Sequence, residues 1–247
     1  MRSRILRRWL PITVPIVLAI VGGLGGIWAA TKAVAAQIDR LAPLARRGDA
    51  EAAYRVYQAE ALCVSADKMA RLIDRGTMKD YPKMMAFVEA QLAETERACS
   101  GVTPAELGER FGFLDQAIRA GNRDAMRSYR LDEPTGVDVY RSAGLDPRAI
   151  EWRRNASAYL EILGGEGDRM AWSLLSTDDR FGMITGKDLG ASLRYQVAYE
   201  ATMSAAEKSP FYVVEIDRTV AVMPPEEAKA AMAQGHALAE RFPATRP

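Results

Sequence analysis

The longest apolar stretch of the chain runs from Ile12 to Ala30 and contains no charged residue. At a rise of about 1.5 Å per residue it nearly crosses the hydrocarbon core of a bilayer, so it predicts a transmembrane helix. Lys32 is the one charge that closely follows it, whereas four basic residues precede it: Arg2, Arg4, Arg7 and Arg8. The positive-inside rule therefore predicts a single-pass anchor with a cytoplasmic N-terminus and an exported main domain.

A cleaved signal peptide is the alternative interpretation of this segment. Ala33-Val34-Ala35, followed by Ala36, has the small-residue spacing that signal peptidase accepts. The apolar run is longer than the usual hydrophobic region of a signal peptide, which is about 7 to 15 residues, and this length favours the anchor.

Gly22 and Gly26 form a G-x-x-x-G pair inside the predicted membrane helix. Small residues at this spacing let two helix backbones approach closely, so a homodimer packed through these glycines is one interpretation. The other interpretation is that an apolar helix simply tolerates them.

Behind the anchor, caps, prolines and glycines divide the hydrophobic pattern into helical segments, and only Phe211 to Ile216 alternates in the manner of a strand. Thr103-Pro104-Ala105-Glu106 is the clearest helix start, because it combines a capping box with a proline at the first helical position. Asp146-Pro147 predicts another helix, which ends at Gly164-Gly165, and Pro224-Pro225 opens the last one. The pattern predicts an all-α fold of antiparallel helical pairs.

A short motif recurs three times: a glycine, then Asp or Asn, then an alanine four residues after the glycine. Its instances are Gly48 with Ala52, Gly121 with Ala125, and Gly167-Asp168 with Ala171. The glycine is expected to end one helix, the polar residue to cap the next, and the alanine to face a neighbouring helix. The intervals are 73 and 46 residues, so the period is irregular.

The stretch from Gly167 to Tyr199 resembles the Sel-like repeat family, which is related to tetratricopeptide repeats. The matching positions are Gly167, Asp168, Ala171, Leu175, Gly186, Asp188 and Tyr195. Ser192 and Tyr199 depart from it, since they stand where the family usually has alanines, and Ser176 replaces its second helix glycine. The resemblance implies a superhelix of helix-turn-helix repeats with a concave face for other proteins and no catalytic chemistry of its own.

Cys63 and Cys99 are the only cysteines of the chain. An even pair in an exported domain predicts a disulfide. Cys63 is expected to end the helix that begins near Asp49, and Cys99 to end the next helix, so the bond would enclose a helical hairpin. A loop of 36 residues implies roughly 3 to 4 kcal/mol of stabilisation. Two separate buried thiols are the alternative.

The charge distribution argues against a nucleic-acid partner. The first 36 residues contain five basic residues and no acid. Without these five, 28 lysines and arginines stand against 32 aspartates and glutamates in the remaining 211 residues, a net charge of −4. Such a surface repels phosphate backbones, so no nucleic-acid partner is predicted.

Catalytic and cofactor motifs are scarce. His236 is the only histidine, which leaves no set of zinc ligands and no common histidine-dependent nucleophile system. The glycine-rich segment 164–168 is not preceded by a predicted strand, so we interpret it as a helix-helix turn and not as a phosphate-binding loop. No cofactor is predicted. Four acids cluster in sequence and leave open a carboxylate enzyme that acts on glycans: Glu166, Asp168, Asp178 and Asp179.

These observations favour a non-enzymatic function. Residues 1–36 are interpreted as a basic stub with a membrane anchor, and residues 37–247 as an exported helical-repeat domain. The hypothesis is an adaptor or assembly factor of the bacterial inner membrane that binds a protein partner in the periplasm. A glycan-acting enzyme of the cell envelope and a structural spacer are the alternatives.

Overall fold

The computed structural model describes residues 34–74, 82–134, 137, 146–184, 186–204, 207 and 210–242. Within these ranges the regular structure consists of ten α-helices and no strand, which confirms the all-α prediction. Phe211 to Ile216, with its strand-like alternation, lies inside a helix. The predicted membrane helix, with Gly22 and Gly26, lies outside the described residues. Among the helices that are described, none is both long enough and apolar enough to cross a membrane.

The described residues form two compact units, one up to Phe113 and one from Leu114 onward. The first unit contains α1 (Val34–Arg46), α2 (Ala50–Asp74), α3 (Pro82–Ala98) and the beginning of α4 (Pro104–Arg119). The second contains the end of α4 and then α5 (Arg123–Leu131), α6 (Pro147–Gly165), α7 (Arg169–Phe181), α8 (Leu189–Ala201), α9 (Pro210–Val220) and α10 (Pro225–Arg241). The domain boundary predicted after residue 36 falls inside α1.

The starts of α4 and α6 follow from local side-chain chemistry. The Thr103 amide donates to the Glu106 carboxylate at 2.6 Å, and the Glu106 amide donates to the Thr103 hydroxyl at 3.3 Å, which is a capping box. Asp146 caps α6 by accepting the Arg148 amide at 2.9 Å, with Pro147 in the first turn. Both helices therefore begin where the sequence predicts.

The corner between α1 and α2 reverses the chain in very few residues. Gly48 has a φ of +102°, which favours glycine, and its amide donates to the Ala45 carbonyl at 2.8 Å. The Asp49 amide donates to the Leu44 carbonyl at 3.2 Å, and the Asp49 side chain accepts the Ala52 amide at 2.9 Å. One helix is thus closed and the next is capped by adjacent residues.

The same arrangement recurs at two further corners. Gly121 and Gly167 also have positive φ, and each precedes a polar residue that caps the next helix, namely Asn122 and Asp168. The alanines of the motif, Ala52, Ala125 and Ala171, are all buried. The described chain therefore contains repeated helix-helix corners, a packing compatible with a helical repeat protein.

The second unit is organised around α8, which packs against α7, α9 and α10. Its core contains Trp172, Leu193 and Val197 from α7 and α8. At the end of α10, the Phe242 side chain covers the corner at Gly167 so closely that a β-carbon there would lie 2.5 Å from the ring. The Phe242 ring also lies 6.2 Å from the Trp172 ring, so the segment after α10 completes this part of the core.

The contact between α8 and α10 depends on Gly235. A β-carbon at this position would lie 2.6 Å from the Arg194 carbonyl oxygen and 2.7 Å from the Val197 β-carbon. Because one of these atoms belongs to the backbone of α8, a rotamer change cannot relieve the overlap.

We expect Gly235→Ala to force α10 away from α8 and to lower the free energy of unfolding by about 2 kcal/mol. Thermal unfolding followed by far-UV circular dichroism measures this loss. Gly112→Ala is the matched control, since a β-carbon at Gly112 has open space and the residue is exposed inside α4. That change should stabilise the protein by about 0.5 to 1 kcal/mol, and equal effects of the two variants would contradict the close contact.

In the first unit, α2 packs against α1 and α3, and the predicted disulfide is present. Cys63 on α2 is bonded to Cys99, which directly follows α3, with the two α-carbons 5.7 Å apart. The expectation that the helix beginning near Asp49 ends at Cys63 is wrong, because α2 continues to Asp74. The disulfide therefore attaches α3 near the middle of a helix of 25 residues.

A polar cleft as candidate functional site

Three arginines of α5 bind acids of the second unit. Arg123 pairs with Glu166, Arg127 with Asp168, and Arg130 with Asp178. Spacings of four and three residues place these arginines on one face of the helix. The acids belong to the corner between α6 and α7 and to α7 itself, so the arginine row fixes α5 against that corner.

The innermost pair, Arg130 and Asp178, is buried, with 7% and 3% of the two residues exposed. The Arg130 Nε donates to both carboxylate oxygens of Asp178, at 2.8 and 3.0 Å. The guanidinium also lies 5.8 Å from the Trp152 ring. Burial raises the pKa of Asp178, and the Arg130 hydrogen bonds and charge oppose this rise. A buried pair of this kind demands that both partners stay in place.

The acid cluster singled out in the sequence is thereby dispersed among separate contacts. Glu166 and Asp168 are bound by arginines of α5, and Asp168 also caps α7. Asp178 and Asp179 both line a cleft, but Asp178 is occupied by Arg130. The structure therefore does not bring these four acids together in one site.

The cleft lies between α6, α7 and α8 and has a volume of about 130 Å³. Its lining residues are Ser157, Glu161, Leu175, Asp178, Asp179, Ile184, Ala191, Arg194 and Tyr195. Glu161 is exposed, and its carboxylate accepts a hydrogen bond from the Ser157 hydroxyl at 3.0 Å. The cleft thus combines an apolar wall with several hydrogen-bonding groups.

Arg194 is a lining residue whose buried Nε has no hydrogen-bond partner among the described residues. Its guanidinium carbon lies 4.5 Å from the centre of the Tyr195 ring, which holds the group in place. No described acid forms an ion pair with this side chain. A buried donor without an acceptor is unfavourable, so the site suits a ligand that brings an acceptor group.

Tyr195, singled out as the aromatic of the repeat pattern, forms part of the cleft wall. Two positions that depart from that pattern, Ser176 and Ser192, are both buried and meet between α7 and α8. The Ser192 hydroxyl donates to the Ser176 carbonyl at 2.8 Å. Ser176 and Ser192, which both depart from the repeat pattern, thus lie at the same contact between α7 and α8. A hydrogen bond replaces apolar packing there.

Other candidates from the sequence do not join this cleft. His236 is exposed on α10, and the described residues contain no group of metal-ligating side chains. Arg194 does not stand out in the sequence, because its role depends on side chains from three helices. Its only local signal is the adjacent Tyr195.

Comparison of the chain with family models, with curated proteins and with solved structures finds no match. The resemblance to Sel-like repeats therefore stays a resemblance.

Proposed function

We propose that the protein is a membrane-anchored adaptor or assembly factor of the cell envelope, with helical repeats that bind a protein partner. The observation that carries this proposal is Arg194, whose buried Nε has no acceptor although the side chain lines an accessible cleft. An arginine held on an aromatic ring with a free donor is typical of an interaction surface.

The size of the cleft favours a protein partner. Pockets for drug-sized small molecules usually have volumes of about 300 to 1,000 Å³, whereas this cleft has about 130 Å³. A single side chain or a short piece of main chain fits such a space. The partner would insert one group here and make its other contacts on the surrounding helices.

The charges of the lining indicate which group enters. A free anion would accept hydrogen bonds from Arg194, but Glu161 and Asp179 line the same cleft and would repel it. An amide group suits both Arg194 and the acids of the lining. Its carbonyl accepts a hydrogen bond from Arg194, while its N–H donates a hydrogen bond to a carboxylate. We therefore propose that the occupant is an asparagine or glutamine side chain or a peptide group of the partner.

A membrane anchor would complement this weak, small site. Holding the domain at the membrane raises its local concentration near other membrane proteins. A contact of modest affinity then suffices for an adaptor.

The test is photo-cross-linking in intact cells that express the full chain. A photoreactive phenylalanine analogue replaces Glu161, which is exposed at the cleft, or Glu151, which is exposed on α6 but does not line the cleft. We expect a discrete adduct with a partner from position 161 and none from position 151. Equal labelling from both positions, or no adduct from position 161, would contradict binding at the cleft.

Arg194→Ala should lower the yield of the adduct about tenfold or more, because a hydrogen bond from a charged donor contributes roughly 1.5 to 3 kcal/mol. Arg154→Ala is the matched control, since Arg154 is exposed on α6 and does not line the cleft. An adduct that persists at full yield in Arg194→Ala would remove Arg194 from the interface.

A further inference from the structure

Glu60 lies on the buried face of α2, in the first unit. Apolar residues precede it at helical spacing, at Ala53, Val56 and Tyr57, and all three are buried. Glu60 continues this stripe and is only 1% exposed. Its Oε2 atom is buried and has no hydrogen-bond partner among the described residues. A carboxyl group thus occupies a position that the helix period assigns to an apolar side chain.

The charged groups that act on Glu60 come from α1 and α4. Glu106 and Glu109 of α4 repel a negative charge at this position, whereas Arg110 of α4 and Arg46 of α1 attract it. None of these strongest influences on its pKa comes from α3, which also packs against α2. Two acids and two arginines therefore act most strongly on the pKa of Glu60.

The two arginines have other partners. Arg46 forms an ion pair with Glu109 at 2.8 Å, and Arg110, which is 2% exposed, donates to the Leu107 carbonyl at 3.2 Å. Burial first, and then the repulsion from Glu109 and Glu106, raise the pKa of Glu60 from 4.5 to about 8. The neutral, protonated carboxyl is the form that this environment tolerates.

We propose that Glu60 is a proton-dependent switch of the first unit: its bound proton keeps the packing of α2 against α1 neutral, and loss of the proton loosens that packing. The proposal is independent of partner binding by the second unit. It implies that the first unit responds to rising pH in the neutral to mildly alkaline range.

The direction of the effect follows from the difference between the folded and unfolded chains. The unfolded chain releases the Glu60 proton near pH 4.5, whereas the folded chain retains it up to about pH 8. Stability from this group is therefore fully present below pH 4.5, decreases as the pH rises, and is lost above about pH 8. Ordinary carboxylates in ion pairs act in the opposite direction.

The first measurement is a titration of the full chain in detergent, with the glutamate carboxyl carbons labelled with carbon-13. We expect one glutamate signal to titrate near pH 8 and to be missing in Glu60→Gln. The change to glutamine is suitable because its side chain has the shape of a protonated glutamate. If the wild-type protein has no glutamate that titrates above about pH 6, the proposal is overturned whatever the variant does.

The second measurement is amide hydrogen exchange of peptides from α1 and α2, corrected for the intrinsic pH dependence of exchange. Between about pH 5 and pH 8 the wild-type protection factors should fall by up to tenfold per pH unit, and Glu60→Gln should abolish most of this slope. Glu51→Gln is the matched control, since Glu51 is exposed on the same helix and pairs with Arg55. A slope that persists in Glu60→Gln, or that disappears in both variants, would overturn the proposal.

Discussion

Replacing Asp178 by asparagine is expected to lower the free energy of unfolding of the second unit by about 3 to 5 kcal/mol. The change leaves the Arg130 guanidinium buried without an opposite charge, and the charge cannot reach water without disrupting the contact of α5 with α7. The loss measures the penalty of an unpaired buried charge, which exceeds the net contribution of the intact pair.

The measurement uses Trp152 and Trp172, which are both buried in the second unit. With Trp9 and Trp28 replaced by phenylalanine, urea unfolding followed by fluorescence reports this unit alone. Asp115→Asn is the matched control, because it removes an ion pair with Arg119 that is exposed in the same unit. Its effect should stay below about 1 kcal/mol. Similar losses for both variants would show that burial does not determine the penalty.

A double change extends this test. Arg130→Met combined with Asp178→Leu removes both charges and keeps apolar volume in the core, so it should recover a large part of the lost stability. If the double variant is as unstable as Asp178→Asn, the loss of stability comes from the hydrogen-bond geometry and not from the unpaired charge.

Removal of the disulfide is expected to lower the stability of the first unit by roughly 3 to 4 kcal/mol. In the chain-entropy description, the bond with its separation of 36 residues restricts the unfolded chain, and this restriction disappears in the variant with Cys63→Ser and Cys99→Ser. Hydrogen exchange of α2 and α3 peptides measures the loss as lower protection.

Chemical reduction provides an independent route to the same state. Reductant should lower the protection of α2 and α3 in the wild-type protein to the level of the double-serine variant, and it should leave that variant unchanged. If reductant destabilises the double-serine variant as well, the effect does not come from the disulfide.

Elements governed by neighbouring residues could be predicted from the sequence. Thr103 with Glu106, and Asp146 with Pro147, determine helix starts through bonds that span two or three residues. The end of α2 could not be placed in this way, and the expected end at Cys63 is wrong. No glycine or proline follows Cys63 until Gly76, so the helix has no local reason to end there.

Contacts between distant segments were outside the reach of sequence analysis. Arg130 and Asp178 are 48 residues apart, and nothing in their local patterns indicates that they pair. Whether the Arg194 Nε has a partner likewise depends on which side chains surround it. Glu60 is different, since its spacing from Ala53, Val56 and Tyr57 already indicates burial. A buried acid in an apolar stripe is thus a signal that sequence analysis can use.

The position of Phe242 has a consequence for biosynthesis. The residues that its side chain covers, Gly167 and Trp172, are made some seventy residues earlier in the chain. Similarly, α8 can pack against α10 only after the chain has been synthesised as far as Gly235. The second unit therefore cannot complete its core from the N-terminal side as the chain emerges, and Trp172 remains incompletely covered until residue 242 is added.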